Sequence, residues 1–361
     1  MVRYEMAIVL PDDDSNSVKL FLGSVLINTL TSSLLFLIII FIHDWLAEIL
    51  NLEQSMSFIL LLVPLSIFLL STGYAANFLL VKKKRFKASS INKVSRRISE
   101  GGMQVFSGVI NLRIGLIWGD LIGHVVNVSM TLYQIKRAGY KLFNHKVTEI
   151  KQQLINYQHF PKYNALPTLL NSVGLLFPVL LISSKFSSEI TGQYDLSRQV
   201  LALPLVIIST SISQVLFQRL SEFKNANKSI KGILTQVFVS LSTLSLIGII
   251  IFYLIGVEAF EIIFGDQWKD AALYSEILII AYALKFVVST LSISLTALEK
   301  LKPLAIWQIM YFSLIVMLVF VGDIEILDFL KVLVVIELFS YTIFAIIIYR
   351  MVQKYEVSLR I

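Results

Sequence analysis

The chain has 361 residues, of which 56% are hydrophobic and 15% charged, and its mean hydropathy is +0.77. Soluble globular domains do not have this composition, so the apolar surface is expected to face lipid, and length says nothing about domain number. The net charge of +7 follows the membrane topology set out below, which excludes nucleic acid as a partner, and the lack of any cysteine excludes disulfides, thiolate catalysis, thiolate zinc sites and iron–sulfur clusters.

Residues 1–19 carry Arg3, Glu5, Pro11, three consecutive aspartates and Lys19, without the basic, apolar, small-residue order of a signal peptide. They read as a loop between helices. Runs of roughly 20 apolar residues, enough to span the hydrocarbon core, follow at 20–42 and 58–80. Next comes the basic cluster KKKRFKASSINKVSRR (82–97), then two more polar spans predicted at 94–112 and 114–134, turning near Arg113. The longest connection, 136–163, reads as a basic cytoplasmic linker between two bundles. Beyond it lie 164–184, 199–218, 233–257, 271–298 around Lys285, 303–322 and 332–349 around Glu337.

The expected fold is therefore all-α and polytopic: ten transmembrane helices in two bundles of four (1–135) and six (164–361), around a polar central cavity. Alternating spans put 25 of the 31 lysines and arginines on one side, against Arg113, Lys185, Lys269 and Lys331 on the other. By the positive-inside rule both ends are expected in the cytoplasm. The basic excess is also a signal for anionic lipid.

Polar residues recur along single helix faces, at steps of three and four. Three such faces carry four residues each: Glu100, Gln104, Ser107 and Asn111; Asp120, His124, Asn127 and Thr131; Lys285, Ser289, Ser292 and Thr296. Shorter ones are Ser24, Asn28 and Thr31, and Asn164, Thr168 and Asn171. Polar groups in lipid are costly and turn toward a bundle interior or a hydrated cavity; polar packing between helices is the other reading.

Lys285 lies about 20 Å from either end of its span. An ammonium that deep costs at least ~2.5 kcal/mol on insertion scales and calls for an anion, either a substrate phosphate or an internal partner such as Glu337. Arg198 is close in sequence to Asp195 and can pair with it or meet a ligand. Asp120 and His124, one turn apart, form either a proton relay or a structural pair. Enzyme motifs are missing: there is no GxxxxGK[ST], HExxH or GxSxG. The longest outer loops, 43–57 and 258–270, are short for a membrane glycosyltransferase or polymerase.

Residues 160–222 resemble the polysaccharide flippases of the multidrug/oligosaccharidyl-lipid/polysaccharide exporter superfamily, the Wzx-type translocases of O-antigen and capsule repeat units. The matching points are Phe160-Pro161, Leu166-Pro167, Gly192-x-Tyr194 leading to Arg198, Leu203-Pro204, and Gln214 to Arg219. IIFGDQWKDAALYSEILII (262–280) is similar to the family's Phe-Gly-x-x-Trp-x-x-Ala segment, and the opening RYEMAIVLPDDDSNSVKLF to its connection between the second and third helices. Such flippases carry twelve or more helices, so the resemblance implies that two helices are missing ahead of the opening segment.

It also implies a multi-pass protein of the bacterial inner membrane that flips undecaprenyl-diphosphate-linked oligosaccharide and is not an enzyme. Its partners would be that lipid-linked sugar, membrane lipids and other polysaccharide-assembly proteins. No cofactor or metal is implied; a proton or sodium gradient, or downhill consumption of product, would drive it. The candidate cavity residues are Lys285 and Arg198 for the diphosphate, with Gln104, Asn111, Asp120, His124, Asn127, Ser289 and Ser292. The alternatives are a drug or cation exporter of the same superfamily, a membrane glycosyltransferase or polymerase, and an inactive truncated remnant.

Overall fold

Runs that are apolar all round satisfy their backbone in lipid only as helices. The computed structural model, which describes residues 3–49, 54–112, 114–322 and 324–359, is all-helical among those residues. The helices are α1 (Asp14–Ile49), α2 (Val63–Lys82, preceded by a 3-10 segment Gln54–Leu62), α3 (Phe86–Val109), α4 (Gly115–Arg137), α5 (Val147–Asn156), α6 (His159–Lys185), α7 (Ser188–Asn225), α8 (Lys231–Phe264), α9 (Lys269–Leu291), α10 (Ile293–Ala297), α11 (Leu301–Val316) and α12 (Ile326–Ser358). Among the described residues, eight helical segments are long and apolar enough to cross a membrane. The other two expected spans are α3 and α4, with 24 and 23 residues, which are long enough but more polar.

The chain divides into two compact units, 1–162 and 163–361, so the 136–163 segment falls almost wholly within the first. In that unit α3 and α4 form the closest helix pair, with α2 against α4 and α1 against α2. The pairing follows from glycine spacing: Gly115, Gly119 and Gly123 recur every four residues along α4. At Gly119 a Cβ would come within 2.9 Å of the Glu100 carbonyl, and at Gly123 within 3.2 Å of that of Arg96. Small residues at this spacing let two membrane helices approach backbone to backbone.

The opening segment is more than the loop its composition suggests. Tyr4–Val9 forms a 3-10 helix in which Ala7, Ile8 and Val9 are buried. Its apolar residues fill the end of the α1–α2 pair, where Tyr4 Oη donates to the Leu154 carbonyl (3.1 Å) and Lys82 to that of Pro11. Burial raises the Glu5 carboxyl above its ordinary range. Helix α5 lies against α1, with Glu149 on Lys19 (3.1 Å); that hydrogen bond lowers the Glu149 pKa.

Helix ends explain why the connections are so short. Lys84, Asn111, Gly139, Asn227 and Glu299 have positive φ just past α2, α3, α4, α7 and α10. In each case the left-handed residue and the one after it return N–H groups to the last carbonyls of the helix, as Asn111 does to Gly108 (3.1 Å) and Leu112 to Ser107 (2.8 Å). This Schellman closure stops a helix within two residues.

In the second unit α9 is the central element, with α7, α8 and α12 packed on it and most of its side chains buried. Small residues permit this: Ala271 and Ala272 are fully buried against Phe260 of α8. Ser197 Oγ of α7 donates to the Ala271 carbonyl (2.6 Å). Helix α11 packs on α12 through Trp307, whose ring stacks on Phe344 and whose Nε1 donates to the Ser340 carbonyl (2.8 Å).

Candidate functional site

Among the described residues, each unit holds a cluster of charged and polar groups inside its helices. In the second unit the centre is Lys285, about 24 Å from the start of α9. Its Nζ lies 2.7 Å from Glu337 Oε1 of α12. The rings of Tyr282 and Tyr341 flank the ammonium at 4.9 and 5.5 Å from their centroids. Tyr311 Oη of α11 donates to the same carboxylate oxygen (3.3 Å), while Glu337 Oε2 is buried without a hydrogen-bond partner. Glu337 itself is only 5% exposed. Of the two anions open to Lys285 from the sequence, the structure supplies the internal one.

Ser289 lies one helical turn beyond Lys285, near Tyr341. Ser292 does not continue the face as an uninterrupted 271–298 helix would: α9 ends at Leu291, and the Ser292 hydroxyl donates to the Ser289 carbonyl (2.7 Å). Arg198 donates to Asp195 Oδ1 from Nε (3.1 Å) and from Nη2 (2.7 Å). It also lies close enough to Tyr194 and Tyr282 to interact with them electrostatically, and Tyr194 and Tyr282 interact in turn with Glu337. The structure thus places Lys285 and Ser289 beside one buried carboxylate and its tyrosines, while Arg198 is held by Asp195.

The first unit's cluster lies between α2, α3 and α4. Asp120 accepts a hydrogen bond from Ser66 of α2 (2.8 Å) and sits 3.6 Å from Arg96 of α3. His124 is 2% exposed; its Nε2 lies 3.3 Å from Asp120 Oδ1 and 3.4 Å from Arg96 Nη2, and its Nδ1 has no partner. A neutral imidazole serves one of these neighbours at a time, accepting from Arg96 in one tautomer and donating to Asp120 in the other. Glu100 pairs with Arg97 (3.0 Å) and Arg96 (3.7 Å). Gln104 packs over Gly119, and Asn127 abuts Gly73 of α2. Thr131 accepts from Asn92 (2.9 Å).

Three expectations change. Asn111 does not line a helix face: α3 ends at Val109, and Asn111 is the exposed, left-handed residue of the turn (φ 54°), a conformation asparagine tolerates. Thr31, the last member of its stripe, is exposed and bonds back to the Ile27 carbonyl (2.9 Å). Helix α3 starts at Phe86, ahead of the expected start at 94, so most of the basic cluster 82–97 is helical. Arg113 lies outside the described residues. Arg96 is the residue that sequence reading missed as a site candidate; Glu100 one turn later was the available sign of a helical ion pair.

Two of the three stretches that carried the sequence resemblance, 160–222 and 262–280, meet in the fold. Gln193, between Gly192 and Tyr194, donates from Nε2 to the Gln267 carbonyl (2.6 Å) and accepts from the Ala271 amide (3.0 Å). It closes the turn between α8 and α9, where Gly265 (φ 90°) adopts a backbone conformation suited to glycine.

Comparison with known proteins agrees with this architecture. The structure superposes on a MATE transporter in its bent conformation with a TM-score of 0.81, covering 100% of this chain and 84% of that one at 12% identity. A Vibrio cholerae MATE transporter in its bent form gives 0.74, with 99% and 85% covered at 12% identity. An outward-facing multidrug resistance MATE transporter of the MOP superfamily gives 0.71, with 99% and 83% covered at 13% identity. A Klebsiella pneumoniae protein described as an uncharacterized membrane protein in the cps region is 22% identical over 281 residues, 76% of this chain and 56% of its own length. The chain therefore spans little more than half of that relative. The profile of a family described as polysaccharide biosynthesis protein matches residues 11–273. On that match the chain belongs to the polysaccharide biosynthesis protein family, and its helices take up the fold of the MATE transporters of the MOP superfamily.

Proposed function

We propose that the protein moves a polyprenyl-diphosphate-linked oligosaccharide across the bacterial inner membrane, from the cytoplasmic to the outer leaflet, for assembly of a surface polysaccharide. The observation that carries this reading is a polysaccharide-family sequence on an exporter fold with a lysine held deep within its helices. Lys285 and Arg198 are the cations proposed to meet the diphosphate, in exchange for Glu337 and Asp195. Guanidinium and ammonium groups that already hold carboxylates are prepared to hold phosphate oxygens. Gln104, Asp120, His124, Asn127 and Ser289 are proposed to face the sugars; Asn111, in a turn, and Ser292, past the end of α9 and bonded back to the Ser289 carbonyl, are not. Alternating access requires no covalent chemistry. The test is transbilayer movement of such a lipid in vesicles holding the purified protein, above that in protein-free vesicles.

One observation favours a second reading, a cation exporter: Glu337 is a buried carboxylate of the kind a cationic substrate would seek. Competition of the lipid-linked sugar against a lipophilic cation separates the two.

The proposed orientation has both ends in the cytoplasm. The chain lacks cysteine, so single cysteines can be placed without background. A membrane-impermeant maleimide added outside spheroplasts is expected to label Ser188→Cys, at the start of α7, and to leave Ser229→Cys, after α7, unlabelled until the membrane is opened. The reverse pattern would invert the topology.

A further inference from the structure

Helices α8 and α12 both pack on α9 but make little direct contact with each other. They are tied at the basic end of the helices. There Glu356 Oε1 accepts from the amides of Ile230 (2.8 Å) and Lys231 (3.0 Å), and Tyr355 Oη donates to the Lys228 carbonyl (3.0 Å). Beyond this tie the two helices stand apart over a slot of about 490 Å³, within the size range of small-ligand sites. Val288 and Leu291 of α9 floor it, and Leu234, Ala345 and Val352 wall it.

The slot is graded along its length. Lys231 and Gln353 line its mouth, and the α12 lining runs back from Gln353 to Thr342, about 16 Å of helix, through apolar side chains. Lys228 is exposed just ahead of Lys231, Arg350 and Lys354 are exposed on the flank of α12 that turns toward Pro303 and Ile306, and the nearby Glu356 is committed to the two amides. A cationic mouth over a hydrocarbon slot complements a molecule with an anionic head and an apolar tail. We propose that this slot binds an anionic phospholipid of the surrounding bilayer, with its phosphate at Lys231 and one acyl chain along the α9 floor. The inference does not depend on what the protein transports.

Native mass spectrometry of the purified protein, titrated in turn with phosphatidylglycerol and phosphatidylcholine, tests it. One basic residue near the headgroup is worth about 1 kcal/mol toward anionic lipid, or about fivefold in affinity. One phosphatidylglycerol is expected to bind about fivefold more tightly than phosphatidylcholine. Lys231→Gln is expected to erase that preference, and Ala345→Phe, which fills the slot, to remove retention of both lipids. Lys300→Gln, at an exposed lysine outside the slot, is expected to bind as wild type. Unfolding temperatures establish that each variant is folded, and either of the two slot variants suffices. Equal phosphatidylglycerol retention by wild type and a folded slot variant would overturn the assignment. So would equal affinity for the two lipids, or a second copy of the chain retained in place of lipid.

Discussion

Replacing Lys285 with alanine is expected to destabilise the protein by about 3–5 kcal/mol, because it leaves Glu337 charged and buried with one tyrosine hydroxyl for company. The loss would register as a fall in unfolding temperature in detergent, and Glu337→Leu alone should fall similarly by stranding the ammonium. Replacing the pair together, as Lys285→Met with Glu337→Leu, is expected to recover most of the stability, since two apolar chains of similar volume remove both desolvation penalties. The double variant then separates structure from transport. The proposed function predicts a folded, inserted protein that no longer moves substrate, because the cation that would receive the diphosphate is gone. Wild-type transport by the double variant would make the ion pair a packing device and remove Lys285 from the site.

Gly119→Ala is expected to cost about 1–3 kcal/mol, the range for overpacking a tight contact. A methyl there meets the Glu100 carbonyl, and backbone cannot swing away as a side chain can. Gly119→Leu should prevent α3 and α4 from closing at all. Gly101→Ala, whose added carbon would meet nothing within 4 Å, is expected to be neutral or slightly stabilising. Thermal unfolding of the three variants checks the series. Equal stability of Gly119→Ala and Gly101→Ala would contradict the close approach of the two helices. Because Arg96 and Glu100 lie on the same contact face, the alanine variant should also disturb the Asp120–His124 cluster.

The membrane spans were legible in the sequence because a lipid-facing helix must be apolar on every side, and runs such as 20–42 and 233–257 have no other use. Lys285 was legible as a site for a related reason: a lone charge in such a run demands a partner, and Glu337 was one of the two candidates. Arg96 was legible as helical, inside the span expected from 94, but not as a site residue, and the true start of its helix at Phe86 was not legible. A helix that begins in the headgroup region starts with the residues of a basic loop, and hydropathy cannot mark where one becomes the other. Asn111 fell on a helical face by spacing, but the Schellman closure at Asn111 and Leu112 stops the helix at Val109, short of the expected end at 112, and only backbone geometry shows it. The tyrosines around Glu337 come from α7, α9, α11 and α12, so no local pattern announces them. The opening segment misled through its charges: Pro11 and the aspartates signal a turn, while the apolar Ala7, Ile8 and Val9 that bury it are too few to register.

Translocation of a lipid-linked oligosaccharide is what the proposed function requires of the protein. It is tested most directly in vesicles that hold the purified protein and a polyprenyl-diphosphate-linked oligosaccharide labelled on its sugar. A membrane-impermeant oxidant of sugars is added outside, so the fraction of label destroyed reports transbilayer movement. Movement well above that in protein-free vesicles, and lost in the folded Lys285→Met, Glu337→Leu variant, is the predicted result. A rate equal to the protein-free control, in vesicles whose protein is shown to be folded, would contradict it.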